Sequence, residues 1–277
     1  MPRIELENCI KCMKCVKDCP SDAIDIEQGS ISELCIHCGH CVAICPESTV
    51  FPDRDPIEKL QLNAVSGSDF QHLSASIRTC RSYQKKEVDD ATLNLLIENM
   101  KHYPSASNAR PIEIMAVKSE DLVSKLNDRT AATLIKTIKL VTSTVLMPVL
   151  KILAPKMDLD RLNNYKKRFI AKHTPDSSLI CHHAPLVLLF HAPVIKFSMA
   201  AADAYIWATY TSIHANTLGL GTCFNGFITN AMERSKAMPK EFGIPDGHRV
   251  YAALLLGHPK VKYLNEAGRD MPKASTV

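Results

Sequence analysis

The chain has 277 residues, of which 46% are hydrophobic and 22% charged, a composition typical of a globular protein with one large or two modest domains. Its formal net charge of +4 gives no indication of nucleic-acid binding. The N-terminus lacks a basic start followed by an apolar run, and the most apolar tract, residues 140–150, is too short to span a bilayer. We therefore expect a cytoplasmic protein without a membrane span.

Charge is distributed unevenly along the chain. Residues 1–60 carry a net charge of −5, whereas residues 61–277 carry a net charge of +9. Pro52 and Pro56 lie close to this change and are typical of a break in regular structure. We predict a first domain with its linker over residues 1–60 and a second domain over residues 61–277.

Eight of the eleven cysteines lie in two similar runs, CIKCMKCVKDCP from Cys9 and CIHCGHCVAICP from Cys35. Because the cytosol keeps thiols reduced, this pattern favours metal ligation over disulfides. Three thiolates at C-x2-C-x2-C can surround one corner of a cubic cluster, and the fourth, before proline, is directed elsewhere. Zinc is the alternative, although structural zinc sites favour two separated cysteine pairs.

The two runs resemble the bacterial ferredoxin domain with two [4Fe–4S] clusters, over about residues 1–50. The resemblance implies one cluster held by Cys9, Cys12, Cys15 and Cys45, and another held by Cys35, Cys38, Cys41 and Cys19. The alternating stretch AIDIEQGSIS predicts a hairpin that turns at Gln28 and Gly29. His37 and His40 are interpreted as exposed polar residues of a tight loop, with tuning of a cluster potential as the alternative.

The second domain mixes helical and strand patterns without a strict β-α-β alternation, which predicts the α+β class. Expected helices cover residues 69–77, residues from Asp89 onward, and an alanine-rich stretch over 199–218 that ends at Gly219. Leu93, Leu96, Ile97 and Met100 should share one face of the second helix. Expected strands cover 114–117, 186–190 and 250–256. Neither G-x-G-x-x-G after a strand nor a P-loop motif is present, which argues against a Rossmann domain.

Four stretches of the second domain resemble the FMN-dependent nitroreductase family. They are IRTCRSY from Ile77, PSASNARP from Pro104, the long helix that ends in GLGTCFNG, and Ile244-Pro245 with the strand to Gly257. The resemblance covers residues 68–277 apart from a tract near 128–175. It implies a central mixed or antiparallel sheet flanked by helices, and a homodimer. It also implies that the chain is a member of the subgroup that carries an N-terminal two-cluster domain.

The resemblance also implies the residues that bind FMN, and it assigns the chemistry to FMN and not to a catalytic side chain. Near the phosphate and the flavin edge it places Arg78, Thr79, Arg81 and Lys273. From the other subunit it brings Pro104, Ser105, Ala106 and Asn108, and along the flavin face it places Cys223, Phe224, Asn225 and Gly226. Arg110 replaces the family's usual glutamine, and we hypothesise that its charge raises the flavin potential.

Other residues have structural interpretations. Cys80, Cys181 and Cys223 are expected to be small buried side chains, and Trp207 fits a packed dimer-core helix. Leu134, Ile138, Val141 and Val145 predict an amphipathic helix within residues 130–172. A basic cluster follows, and it is interpreted as a solvated face or as a dock for an acidic partner; it comprises Arg161, Lys166, Lys167, Arg168 and Lys172.

Together these features predict an FMN-dependent oxidoreductase that passes electrons through two [4Fe–4S] clusters to FMN, which reduces a small electron-poor substrate of the nitroaromatic or quinone type. An external ferredoxin or NAD(P)H would be the donor. The alternatives are reductive dehalogenation or modification of a flavin or other cofactor on the same fold, or a non-catalytic electron-transfer protein.

Overall fold

The structure is a computed structural model that describes residues 1–52, 60, 65–143, 145–146, 164, 167, 171, 174, 177–266 and 268–276. The chain divides into two compact units. The first contains residues 1–67 together with 104–110, and the second contains residues 68–103 and 111–277. Across the described residues, no helix combines the length and the apolar character needed to cross a membrane.

The first unit contains two short antiparallel strand pairs, of which one is a hairpin, and two one-turn helices. Its strands are β1 (Arg3–Ile4), β2 (Ile24–Asp25), β3 (Ser30–Ile31) and β4 (Val50–Phe51), and its helices are α1 (Lys14–Lys17) and α2 (His40–Ile44). β1 pairs with β4 and β2 pairs with β3, all antiparallel. The predicted hairpin is therefore confirmed, and Gly29 at its turn has the positive φ of 62° that glycine adopts most easily.

The second unit contains a four-stranded antiparallel sheet with the order β5-β6-β8-β7. The strands are β5 (Glu113–Val117), β6 (Leu186–Pro193), β7 (Gly221–Phe224) and β8 (His248–Gly257). The three predicted strands are confirmed, and both β6 and β8 extend beyond their expected bounds. Because β6 and β8 are central and covered on both faces, they appear in the sequence as continuous apolar runs.

Successive residues of the central strands face two different cores. Leu188 and Leu254 are directly opposite each other and belong to one core, whereas Val187 and Leu255 form the next pair and belong to the other. This alternation follows from the two-residue period of a strand. The sheet is therefore the middle layer of the second unit.

Among the described residues of the second unit, the helices with given bounds are α3 (Gly67–Ser76), α4 (Asp90–Asn99), α5 (Glu120–Val141), α6 (Ala200–Thr217), α7 (Gly226–Arg234) and α8 (Met238–Glu241). Asp89 caps α4 by accepting a hydrogen bond of 2.8 Å from the backbone N–H of Thr92, as predicted for an N-cap aspartate. Leu96 on α4 and Met100 at its C-cap are buried, whereas Ile97, predicted on the same face, is 39% exposed. The buried stripe of this helix is narrower than the sequence pattern indicates.

Helix α5 begins ten residues before the predicted amphipathic tract, since Ser119 caps it through a 3.2 Å hydrogen bond from the N–H of Leu122. Leu134 is buried as expected. Val145 lies beyond the end of the helix and is exposed, so its predicted place on the stripe is wrong. Of the predicted basic cluster, Lys167 is described and exposed. The other members lie outside the described residues; they are Arg161, Lys166, Arg168 and Lys172.

Candidate cluster and flavin sites

The eight cysteines of the first unit surround two cavities. One is lined by Cys9, Cys12, Cys15 and Cys45. The other is lined by Cys19, Cys35, Cys38 and Cys41. Each cavity thus takes three thiols from one run and the fourth from the other run.

Left-handed backbone turns at equivalent positions direct the cysteines of both runs. Lys11 and His37 each lie two residues after the first cysteine, and their φ angles are 48° and 54°. Met13 and Gly39 each follow the second cysteine, with φ of 62° and 77°. These positive values turn the chain back after each two-residue step, so that successive thiols face the same cavity.

Backbone N–H groups donate to the sulfurs of the two crossing cysteines. Ala23 N lies 3.3 Å from Cys19 Sγ, and Thr49 N lies 3.4 Å from Cys45 Sγ. Burial alone would raise the pKa of Cys19 and of Cys45, but hydrogen bonds outweigh it and lower both pKa values below the ordinary thiol range. Four thiols in each set, with N–H donors to the sulfurs, fit the donor set of a [4Fe–4S] cluster.

The third cysteine of each run is less favourably placed for ionisation, because burial raises the pKa of Cys15 and of Cys41. A bound metal reverses this effect, because a coordinated thiol loses its proton. His40 is exposed and its Nδ1 lies 3.6 Å from an Asp18 carboxylate oxygen. His37 is half-buried, so its interpretation as an exposed residue is wrong.

The loop 104–110 contacts the segment that carries Cys35 and Cys38. The side-chain amide of Asn108 donates hydrogen bonds to the carbonyl oxygens of Ile36 and His37, at 3.1 and 2.8 Å. Both partners lie between the two cysteines. This loop is also the segment that the family resemblance assigns to flavin binding.

The backbone of this loop is left-handed at three residues other than glycine, which is unusual. Ser107, Asn108 and Arg110 all have positive φ, between 47° and 51°. Ser105 supports the turn because its hydroxyl accepts a 2.9 Å hydrogen bond from the backbone N–H of Arg110. Within the loop, Ser105, Ala106, Asn108 and Arg110 are half-buried and Pro104 is exposed. Several left-handed residues in one loop are a form of backbone strain that is common at binding sites.

Arg78, the main candidate for phosphate binding, lies two residues after the end of helix α3. Its Nη1 donates to the carbonyl oxygens of Ala75 and Ile77, at 2.6 and 2.9 Å. These bonds use one nitrogen of the guanidinium. Neither bond involves the Nε–Nη2 edge of the guanidinium. That edge carries the paired N–H donors that can bind a phosphate.

Thr79 and Arg81 lie on the segment that runs beside β7. Thr79 bridges to Thr222, and the Cys80 N–H donates to the Thr222 carbonyl at 2.8 Å. Burial raises the pKa of Cys223, and the positive charge of Arg81 opposes that shift, so the guanidinium acts on the thiol electrostatically. The structure therefore brings Arg81 and Cys223, both predicted flavin residues, into one neighbourhood.

The turn from β7 to α7 uses one predicted flavin residue internally. Asn225 is buried, donates to the Ile180 carbonyl at 2.7 Å, and caps α7 by accepting from the N–H groups of Phe227 and Ile228. Phe224, by contrast, is 42% exposed, and its ring stacks on Tyr205 with centroids 6.4 Å apart. Asn225 thus holds the turn in shape, while Phe224 faces outward.

The remaining predicted residues of the second unit are two flavin candidates and three single cysteines. Gly226 starts α7, and Lys273 lies exposed in the C-terminal segment after β8. Cys80, Cys181 and Cys223 are all buried, and burial raises the pKa of Cys181 to about 12. Their interpretation as small buried side chains is confirmed. Among the described residues, no contact between Lys273 and another predicted flavin residue is found.

Sequence reasoning missed one cluster of polar side chains. Glu113, His191 and His248 each offer a ligand atom within 4.8 Å of the others. They are far apart in the sequence and come together only through the antiparallel register of β5, β6 and β8. No spacing motif connects them.

The fold and these sites define a class of protein: an α+β redox domain joined to an iron–sulfur unit of the ferredoxin type. Residues 75–258 match the model of the nitroreductase family, and residues 1–46 match that of a 4Fe-4S dicluster domain. The chain belongs to the nitroreductase family. The predicted fold class and family resemblance are confirmed, and the protein is a nitroreductase-family oxidoreductase with an N-terminal iron–sulfur domain.

Solved structures show the same fold at low sequence identity. A nitroreductase with bound FMN from Bacteroides fragilis is 18% identical, and the match covers 75% of this chain and 97% of that one with a TM-score of 0.56. A nitroreductase with bound FMN from Desulfitobacterium hafniense gives the same values. A BluB-like flavoprotein from Clostridium difficile is 16% identical over 73% of this chain and 94% of that one, with a TM-score of 0.53.

One curated relative matches over a shorter stretch. A protein of Burkholderia lata named as an NADH dehydrogenase/NAD(P)H nitroreductase is 37% identical over 65 residues, which is 24% of this chain. The match spans 33% of that relative's length.

Proposed function

We propose that this protein is an iron–sulfur flavoprotein that passes electrons through two [4Fe–4S] clusters to FMN and thereby reduces a small electron-poor substrate, such as a nitroaromatic or a quinone. The observation that carries the proposal is the grouping of eight cysteines into two sets of four, on a chain of the nitroreductase family. When bound, FMN can exchange electrons singly or as a hydride, which suits it to link one-electron carriers to two-electron chemistry.

The residues that would hold FMN are those with suitable donors. Arg78 offers the Nε–Nη2 edge to the phosphate, and Arg81 supplies a positive charge beside Cys223. The backbone from Cys223 to Gly226 would lie along the ring, supported by the internal bonds of Asn225. Thr79 and Lys273 would complete the phosphate and ring-edge contacts. FMN binding is also named for the Bacteroides fragilis and Desulfitobacterium hafniense structures.

A second copy of the chain would supply the remaining contacts. Helix α6 buries Trp207 within its own unit, yet it also exposes Tyr205, Ile206 and Tyr210. Phe197, just before the helix, is fully exposed. A helix that is apolar on more than one side is normally covered on all of them, which supports a homodimer through this surface. The partner would then contribute Pro104, Ser105, Ala106, Asn108 and Arg110 to each flavin.

The loop 104–110 suggests which cluster delivers electrons to the flavin. Asn108 binds the carbonyls of Ile36 and His37, which lie between the ligands Cys35 and Cys38. The same loop is the one that would contact FMN. We therefore assign the electron exit to the cluster of Cys19, Cys35, Cys38 and Cys41, and the entry to the cluster of Cys9, Cys12, Cys15 and Cys45.

Arg110 would set the flavin potential. A fixed positive charge beside the ring favours the negatively charged reduced form, so Arg110→Gln should lower the midpoint potential of bound FMN. Redox titration of the two proteins measures this. An unchanged flavin potential would contradict the assignment of Arg110 to the flavin.

Turnover tests the function as a whole. Anaerobic protein reduced with dithionite should be reoxidised far faster with a nitroaromatic or a quinone than without an acceptor. A Cys38→Ser variant should retain FMN but transfer cluster electrons to it slowly. If reoxidation is no faster with any acceptor, the protein is an electron carrier and the enzymatic proposal is wrong. Replacing dithionite with NADH, NADPH or reduced ferredoxin then identifies the donor, and NAD(P)H is the donor in the name of the Burkholderia lata relative.

A further inference from the structure

Three side chains of metal-ligating types meet at one end of the sheet in the second unit. His191 Nδ1 lies 3.0 Å from His248 Nδ1, and Glu113 offers a carboxylate oxygen within 4.8 Å of a ring nitrogen of each histidine. Glu113 begins β5, His248 begins β8, and His191 is near the end of β6. Antiparallel pairing brings these three strand ends together, and each strand supplies one donor.

The sheet is irregular at this point. The register between β6 and β8 shifts between Phe190 and His191. Such a bulge changes the direction in which a side chain points, and bulges are frequent beside functional sites. The bulge therefore lies at His191, on the strand between the other two strands of the cluster.

The surroundings of the two rings suit a metal ligand. His191 is 2% exposed, His248 is half-buried, and Glu113 is exposed. Burial of His191 between β5 and β8 holds its ring in place, and an imidazole is a common ligand of transition metals. In the absence of a metal, the two Nδ1 atoms can share one proton in a hydrogen bond. A divalent cation bound to both nitrogens would displace that proton, which would move to Nε2 of the same ring or to solvent.

We propose that Glu113, His191 and His248 bind one divalent transition-metal ion of the zinc type. Zinc ligands at 2.0–2.1 Å in tetrahedral geometry lie about 3.3 Å from one another, so the two nitrogens need to separate by only about 0.3 Å. The exposed Glu113 side chain has the freedom to close the remaining distance. Three protein ligands leave a fourth position for water or a substrate atom, the pattern of catalytic and not of structural zinc.

An ion would reach this site from the surface. His248 is among the residues that line an open surface cavity, together with Glu233, Lys236, Asp246 and Arg249. The carboxylates of Glu233 and Asp246 in that cavity are paired with Arg249 and Lys240, at 2.8 and 2.7 Å, so the metal is left to Glu113 and the two histidines. The site belongs to the second unit and does not depend on the clusters or on FMN.

The test uses tag-free, full-length protein with its clusters intact, prepared anaerobically and dialysed against a chelator. Isothermal titration with zinc chloride should show one zinc ion per chain, and X-ray absorption should show a shell of nitrogen and oxygen near 2.0–2.1 Å. Glu113→Gln and His248→Asn should each weaken binding by about tenfold or more. His72→Asn, which changes an exposed histidine of α3, is the matched control and should leave the affinity unchanged.

Three results would overturn the proposal: no zinc bound by the wild-type protein, a sulfur shell near 2.3 Å that assigns the zinc to cysteines, or equal affinity in His248→Asn. Because Glu113 is exposed, Glu113→Gln should keep the fold, and its circular dichroism and iron content serve as checks. Unchanged iron and flavin in that variant separate this proposal from the proposed redox function.

Discussion

Replacing Asn108 with glycine tests the contact between the loop 104–110 and the second cysteine run. Asn108 has φ of 51°, a conformation that glycine adopts without steric strain, so Asn108→Gly removes the amide while it permits the same backbone shape. The two lost hydrogen bonds measure 2.8 and 3.1 Å. At about 1 kcal/mol each, their loss makes opening of this contact about 2 kcal/mol easier, which is a factor of about 30.

Two assays measure the consequence. Hydrogen exchange of the peptide that contains Ile36 and His37 should become about 30-fold faster, since the segment opens more often. Reduction of FMN by the reduced clusters, followed by stopped-flow absorbance, should also slow. Asn108→Asp should have an equal or larger effect, because it places a carboxylate opposite two carbonyl oxygens. Asn94→Ala, at an exposed position of α4, is the control and should change neither rate.

The two assays separate the structural claim from the electron route. Unchanged exchange in Asn108→Gly would refute the contact itself. Faster exchange with an unchanged rate of flavin reduction would leave the contact in place and refute the exit through the second cluster.

Three further predictions concern the second unit. Gly221→Ala should destabilise the protein by about 1–3 kcal/mol, because the added Cβ would lie 2.6 Å from Cys80 Cβ; thermal unfolding measures this. Asn225→Asp keeps the cap of α7 but loses the donor to the Ile180 carbonyl, so it should cost about 1–3 kcal/mol in chemical denaturation. Arg81→Gln should weaken FMN binding by at least about tenfold in fluorescence titration, since a charge-assisted hydrogen bond contributes roughly 1.5–3 kcal/mol.

Matched variants make these three predictions specific. Gly67→Ala, where an added Cβ meets nothing within 4 Å, should cost little. Asn225→Ala removes both functions of the side chain and should be less stable than Asn225→Asp. Arg234→Gln, an exposed arginine of α7, should bind FMN normally. Equal effects in Arg81→Gln and Arg234→Gln would contradict a specific role for Arg81.

Features set by short-range spacing could be predicted from the sequence. The cysteine runs carry their geometry locally, because the left-handed residues recur at equivalent positions of each run. The cap at Asp89 and the stop of α6 before Gly219 are likewise decided within a few residues. The buried strands β6 and β8 were visible as apolar runs because both of their faces are covered.

Features set by long-range pairing could not be predicted. Glu113, His191 and His248 meet only through the register of three strands and a bulge, and neither leaves a pattern in one sequence. The contact of Asn108 with Ile36 joins residues 72 positions apart. The exposure of Ile97 shows the same limit, since helical periodicity gives the direction of a buried face but not its width.

The most direct test of the account is a quantitative analysis of anaerobically purified protein for iron, acid-labile sulfide, zinc and FMN. Two [4Fe–4S] clusters and one flavin predict about eight iron atoms, eight sulfides and one FMN per chain. Replacing either Cys19 or Cys45 with serine should reduce the iron content, because each crosses to the other run's set. Zinc in place of iron in the cysteine sets, or protein that cannot retain FMN when it is supplied, would contradict the account.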